Sequence, residues 1–329
     1  MSENGRHPIP TEDLRVEDVR FFAVGNGRSG TTWLERTLNT HPEVLCKGSG
    51  MFFGKEIKNF GGRRLLYEVI AGSEGLETWH GMGLNEWAEP GEFERDAAQI
   101  TRAAIDAVMR RWLTHSDKRV LGDRTPHHVS YLNEVHELFP EAKVVHAIRD
   151  GRDVAISSLH AFWKHSSDRG GPANISPEEA EMRESYLENP AAYLESGRGI
   201  FTEERIRQQA AGWNRVVRRG REAGKRLFGE NYAELYYEDH LRRPRETLAS
   251  LFEFLGADAS PEVVDRVVEA NSFETLTGRK PGQESSGAFM RKGVAGDWKG
   301  TFTERDREIF AEEAGDLLVE LGYEQDGSW

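Results

Sequence analysis

Two rhythms of apolar and polar positions alternate along the chain. Short apolar, β-branched runs of strand length recur, each followed by a segment whose apolar residues return every three or four positions. The first run ends the stretch Val16–Val24 (VEDVRFFAV). It leads through GNGRSGTT into the helical segment TWLERTLN, which stops near His41-Pro42 because proline does not continue a helix. A second strand-like stretch is Arg119–Leu121, and a third, Lys143–Ile148 (KVVHAI), runs into RDGRDVAISSLHAFW, with helical spacing. YAELYYEDH reads as a further strand, and RETLASLFEFLG as a helix stopped by Gly256. Strands alternating with helices predict an α/β fold, a parallel sheet with helices on both faces. Residues 53–94 and 164–205, rich in Gly, Glu and Ser, keep neither rhythm. They read as lid loops of a single domain spanning 16–329, preceded by a flexible polar tail over 1–15.

Composition narrows the classes of function. At 37% hydrophobic, the 329 residues can bury a sizeable core. A net charge of −13 repels nucleic acid and anionic membrane, so neither is an expected partner. One cysteine, Cys46, allows no intrachain disulfide and suits a reducing cytoplasm. No run approaches the 18 or so apolar residues of a membrane span, and MSENGRHPIPTED lacks the apolar stretch of a signal peptide. Candidate chemistry is therefore sought in local cationic clusters on an acidic background.

Three such clusters punctuate the chain. The first, Gly25-Asn26-Gly27-Arg28-Ser29-Gly30-Thr31-Thr32, joins a strand to a helix and has the form of an anion cradle, with glycines for close approach and amides at a helix start. It nearly fits the loop GxxxxGK[ST], but Thr31 stands where that loop needs lysine, and the cation comes earlier, as Arg28. That placement suits a bridging oxygen that gains charge as a sulfonate leaves, with no metal required. The second cluster begins at Arg149, at a strand end, with Ser157 two helical turns on; strand ends are where open α/β sheets bind ligands. The alternative is a surface ion-pair network of Arg149, Asp150, Arg152 and Asp153. The third, Phe289–Lys299, is glycine-punctuated and cationic at Arg291 and Lys292, and reads as a flap closing on an anion, or as a solvated loop around a buried Trp298.

Together these elements resemble the sulfotransferases that use 3′-phosphoadenosine 5′-phosphosulfate (PAPS) and release adenosine 3′,5′-bisphosphate (PAP). RSGTTWL at 28–34 is similar to the family's 5′-phosphosulfate loop, and Arg149 followed by Ser157 to its 3′-phosphate site. RKGVAGDWKGTFT at 291–303 is similar to the signature RKGxxGDWKxxFT of its cytosolic branch. The resemblance implies a P-loop-like sulfotransferase fold. It places Arg28 at the transferred sulfonate, and Ser29, Gly30, Thr31 and Thr32 around the 5′-phosphate. Trp33 falls against the adenine, and Arg149, Ser157, Arg291, Lys292 and Gly293 around the 3′-phosphate. Tyr237, in YYEDH, and Phe273, in ANSFETL, match residues near the nucleotide; Asn271 departs from the family's threonine. The implied acceptor is a hydroxyl or amine of a small molecule or carbohydrate.

Transfer to an alcohol needs a proton acceptor, and histidine titrates near neutrality. Gly122-Asp123-Arg124-Thr125-Pro126-His127-His128 resembles the GDKTP segment of bacterial members, which puts Arg124 at the lysine and among the candidate catalytic residues. The cytosolic branch's catalytic histidine would fall on Pro126, which leaves His127 or His128 as base and Asp123 next; the alternative is that the histidines orient Asp123 or cap a helix. A glutamate used by a luminal branch would fall near Ser49. The branch's dimer motif KxxxTVxxxE is met by Lys299, Thr303 and Glu308, but Glu304 replaces the valine, so that dimer is expected to be absent or weak. Two rival functions remain: a metal-dependent kinase or NTPase, which should carry the missing loop lysine, and a binder of the same nucleotide that has lost its chemistry.

Overall fold

A computed structural model of the chain describes residues 19–48, 50–53, 92–113, 116–168, 176–280, 282, 293–326 and 329. The polar tail expected over 1–15, most of the expected lid over 53–94, Ser49, Arg291 and Lys292 lie outside the described residues.

Five strands, β1 (Val19–Gly25), β2 (Val44–Gly48), β3 (Val120–Arg124), β4 (Lys143–Ile148) and β5 (Tyr232–Tyr236), form one sheet in the order β2-β3-β1-β4-β5. All four pairings are parallel, with Ala23 of β1 opposite Arg124 on one side and Val145 on the other. The expected parallel α/β sheet is therefore the one observed. β1 is apolar without alternation because both its faces are covered. Phe21 and Ala23 enter one core cluster with Trp33, Leu38, Leu251 and Val267; Phe22 and Val24 enter another with Ile105, Val135 and Phe139.

Helices supply the covering layers: α1 (Thr31–Thr40), α2 (Glu92–Leu113), α3 (Leu132–Leu138), α4 (Gly151–Asp168), α5 (Pro177–Glu188), α6 (Pro190–Glu195), α7 (Glu203–Phe228), α8 (Tyr237–Arg242), α9 (Pro244–Leu255), α10 (Pro261–Ala270), α11 (Phe273–Thr277) and α12 (Glu304–Glu320). α9 ends as expected, with Gly256 left-handed at φ 72° and its N–H bonded to the helix carbonyls. Two expectations are corrected. YAELYYEDH is strand only to Tyr236 and turns helical at Tyr237. The stretch 164–205 is largely helical among its described residues: Ser176 and Glu179 form a reciprocal capping box for α5, and Tyr186 and Tyr193 pack with Trp163. α4, α7 and α12 share this third cluster with Trp213, Trp298 and Phe310. No helix of the described residues is long and apolar enough to cross a membrane.

Candidate functional site

The carboxyl ends of β1 and β4 lie side by side, and the loops that leave them face each other. Contact there is close: a Cβ on Gly25 would sit 2.5 Å from the Ala147 carbonyl oxygen. Arg28 adopts φ 71° and Gly30 φ 86°, two left-handed turns within three residues, which fold the chain into a tight arch before α1. An L-residue such as Arg28 pays about 1–2 kcal/mol for that conformation. α1 then begins at Gly30 with no side-chain cap and no acidic residue in its first turn, so its first amides and positive dipole end are left for an anion.

Residues remote in sequence converge on this arch. Arg28 Nε donates to Ser157 Oγ of α4 at 3.0 Å, across 129 residues of chain. Arg149 Nη1 reaches the Arg28 carbonyl at 3.4 Å. Its guanidinium lies 4.5 Å from the centre of the Tyr237 ring, and a Cβ on Gly30 would meet that ring at 2.6 Å. Burial, and after it the neighbouring Arg149 cation, hold the Arg28 guanidinium below its usual pKa. Burial raises the Tyr237 phenol, against the pull of Arg149. Donors without acceptors collect here: Ser29 Oγ and Arg149 Nε are buried with no hydrogen-bond partner among the described residues. Such a set fits the phosphate groups of a nucleotide donor.

Asp153 ties the third cationic stretch to this crevice. It lies between Arg149 and Ser157, 3.6 Å from Arg149 Nη2, and is 2% exposed. Its Oδ2 accepts the Gly296 N–H at 2.8 Å and its Oδ1 the Trp298 N–H at 3.1 Å. The glycine-punctuated segment is thus pinned to α4. At its start Gly293, φ 64°, leaves no room for a side chain, since a Cβ would lie 2.2 Å from the Phe273 ring. The cation network read from RDGRD divides in two. Arg149 and Asp153 face the loop, whereas Arg152 is buried, bonded to Asp150 and Glu324, and sandwiched between Trp298 and Trp329 at 3.7 and 4.4 Å. Trp33 is stacked on His240 with ring centres 3.4 Å apart, and its Nε1 donates to the Asn271 carbonyl at 3.4 Å. The Asn271 side chain is occupied with Thr40 and Val267. Sequence reading missed His240, and it had Asp153 only as an ion-pair member, without the amides of Gly296 and Trp298 that it holds.

The segment 123–128 begins in the last two residues of β3, the strand next to β1, and its turn packs on β1. Arg124 is committed to an ion pair with Glu35 of α1. Asp123 and His128 are fully buried and 3.3 Å apart, and His128 Nε2 accepts the Phe53 N–H at 3.3 Å. His127 is partly buried and its Nε2 lies 3.0 Å from the Phe53 carbonyl. Burial first, and then His128, lower its pKa; Phe53 and Asp123 act the other way. Thr303 caps α12 through Asp306, and Glu304 beside it is exposed.

The arrangement is that of an α/β protein with a crevice lined by cationic and donor groups at its central strand ends. Residues 18–321 match the family described as the sulfotransferase domain, and the chain belongs to that family. Among curated relatives it is similar to sulfotransferase 2A6 of Mus musculus, 27% identical over 193 residues, which cover 54% of this chain and 57% of that protein. It is also similar to nodulation protein NoeE of Sinorhizobium fredii, 25% identical over 318 residues, 96% of this chain and 68% of that protein. The chain thus spans little more than half the length of the mouse relative. Among solved structures, mouse sulfotransferase SULT7A1 complexed with PAP aligns over 94% of this chain and 85% of that one, at 17% identity and a TM-score of 0.46.

Proposed function

We propose that the protein transfers the sulfonate of PAPS to a hydroxyl or amine of a small-molecule or carbohydrate acceptor. The observation that carries this reading is the meeting of Arg28, Ser157 and Arg149 at adjacent strand ends, with the 293–298 segment pinned beside them through Asp153. In this reading PAPS supplies the activated sulfonate. Arg28 stands at the bridging oxygen and stabilises the charge that develops there. Ser29, Gly30, Thr31 and Thr32 hold the 5′-phosphate, with Trp33, Phe273 and Tyr237 around the base and ribose. Arg149, Ser157, Arg291, Lys292 and Gly293 hold the 3′-phosphate. Arg124, paired with Glu35, braces α1 against β3. A carbonyl only accepts, so the neutral His127 ring donates from Nε2 to Phe53 and keeps its lone pair on Nδ1. His127 Nδ1 then takes the acceptor's proton. His128, both of whose ring nitrogens are turned to buried partners, stands behind it.

A thermal-shift titration tests the binding half. At a hundredfold excess over Kd, PAP stabilises the protein by about 2.7 kcal/mol, whereas Mg·ATP does little; the reverse ranking would favour a kinase. A labelled-sulfonate screen over phenols, sugars, sterols and amines tests the chemistry. Arg28→Ala is expected to abolish transfer, and full turnover in that variant refutes the mechanism. Burial lowers the pKa of His127, so its basic form persists to lower pH and the rise of kcat/KM with pH is expected on the acid side of that for an ordinary histidine.

A further inference from the structure

The adjacent histidines share one backbone partner and use it in opposite senses. Phe53 donates its N–H to His128 Nε2 and its carbonyl accepts a hydrogen bond from His127 Nε2–H. Each contact dictates a tautomer. A backbone N–H cannot accept, so His128 carries its hydrogen on Nδ1, the atom that faces Asp123 Oδ2 at 3.3 Å. The contact is oblique, a charge–dipole attraction more than a straight hydrogen bond. Asp123 also accepts the Gly50 N–H at 2.8 Å, and Thr125 Oγ1 accepts the Met51 N–H at 3.3 Å. Residues 50–53 are therefore stitched to 123–128 along their whole length. The stitching holds Met51 at φ 50°, a left-handed conformation that costs an L-residue about 1–2 kcal/mol. Left without those bonds, this strained turn relaxes and the Phe53 carbonyl moves with it.

We propose that His128, backed by Asp123, is a positioning residue: by holding Phe53 it places the carbonyl that fixes His127 as the Nε2–H tautomer with Nδ1 free to accept a proton. The inference rests on the reading of His127 as the base. A freed His127 ring can flip or exchange tautomers, and either turns a protonated nitrogen, or none, toward the acceptor. A misplacement of about 1 Å in such a group costs on the order of a hundredfold in rate.

The test compares His128→Leu, His128→Gln and His128→Asn. Glutamine places an acceptor oxygen near the former Nε2, asparagine is too short to do so, and leucine supplies bulk alone. The tautomer of His127 is read directly by a long-range proton–nitrogen correlation spectrum of histidine-labelled protein, with His127→Ala assigning its signals. Wild type is expected to show hydrogen on Nε2; His128→Leu and His128→Asn should show a mixture, and His128→Gln the wild-type pattern. Turnover with the best acceptor of the screen should fall about 10- to 100-fold in the Leu and Asn variants, as on loss of an orienting partner, and return most of the way to wild type in Gln. The donor KM and the PAP thermal shift should stay unchanged in all three. An unaltered His127 tautomer in a folded Leu variant overturns the proposal, as does equal impairment in Gln and Asn; should Leu fail to fold, the Gln–Asn pair decides. Full turnover in His127→Ala sinks the base reading itself, a different result from either.

Discussion

Asp153 offers the sharpest test of how the crevice is assembled. Its carboxylate is buried and serves three groups, the amides of Gly296 and Trp298 and the Arg149 guanidinium. Asp153→Ala strands one buried and one part-buried N–H donor, at about 1–3 kcal/mol for the buried one and less for the other, and leaves a part-buried cation unpaired. The expected loss of stability is of the size seen when one partner of a buried charge pair is removed, about 3–5 kcal/mol. Asp153→Asn is the more informative change because its volume is conserved. An amide can replace one oxygen, but it turns an NH₂ against the donor at the other, and it carries no charge for Arg149. We expect it to cost about 1–3 kcal/mol in urea unfolding and to weaken PAP about tenfold, or 1.4 kcal/mol, in a thermal-shift titration. The affinity should fall because the same carboxylate steadies both Arg149 and the 293–298 segment. An Asp153→Asn protein with wild-type PAP affinity and stability within about 0.5 kcal/mol of wild type would refute the reasoning.

Gly30→Ala adds a Cβ at φ 86° and 2.6 Å from the Tyr237 ring; PAP binding should be lost while the fold persists by circular dichroism, and wild-type affinity would show that the arch tolerates displacement. Acid should destabilise the protein through buried His146, whose pKa is lowered to about 4 chiefly by burial. The unfolded chain then binds the extra proton below pH 6.5, so stability is full above that value and falls as the pH drops toward 4. The contribution lost by pH 5 is about 2 kcal/mol, with His240, lowered to about 3 by burial, adding to it. Urea midpoints that stay flat between pH 7 and 5 would contradict this.

Much of the fold was legible because its central strands are covered on both sides. The apolar run Phe21–Val24 of β1, and that of β4 interrupted only by buried His146, record that burial directly. β2 (VLCKG) escaped notice, being five residues long with exposed Lys47 near its end. The helical turn at Tyr237 overrode a strand-like pattern for tertiary reasons. Tyr237 must lie over Gly30, and the Glu238 carboxylate accepts the Asp150 N–H at 3.0 Å. α5 hid its nature because Tyr186 is its one buried residue, so no apolar stripe announces it, although Ser176-Pro177-Glu178-Glu179 is a readable helix start. In the site, Arg28, Arg149 and Ser157 could be picked out as cationic and polar residues at loop and strand ends. Asp153 could not be told from a surface ion-pair member, because the amides it serves lie 143 and 145 residues away. The choice between His127 and His128 likewise depends on Phe53, 74 and 75 residues distant.

The strand order has a consequence for biosynthesis. β1 is the innermost strand, yet it leaves the ribosome first, and neither neighbour exists until Val120 and Lys143 have been made. Until then Phe21-Phe22-Ala23-Val24 has two naked edges and two greasy faces, the profile of a segment that nucleates aggregation. Nascent chains halted before β3 should therefore depend on chaperones far more than those released after β4.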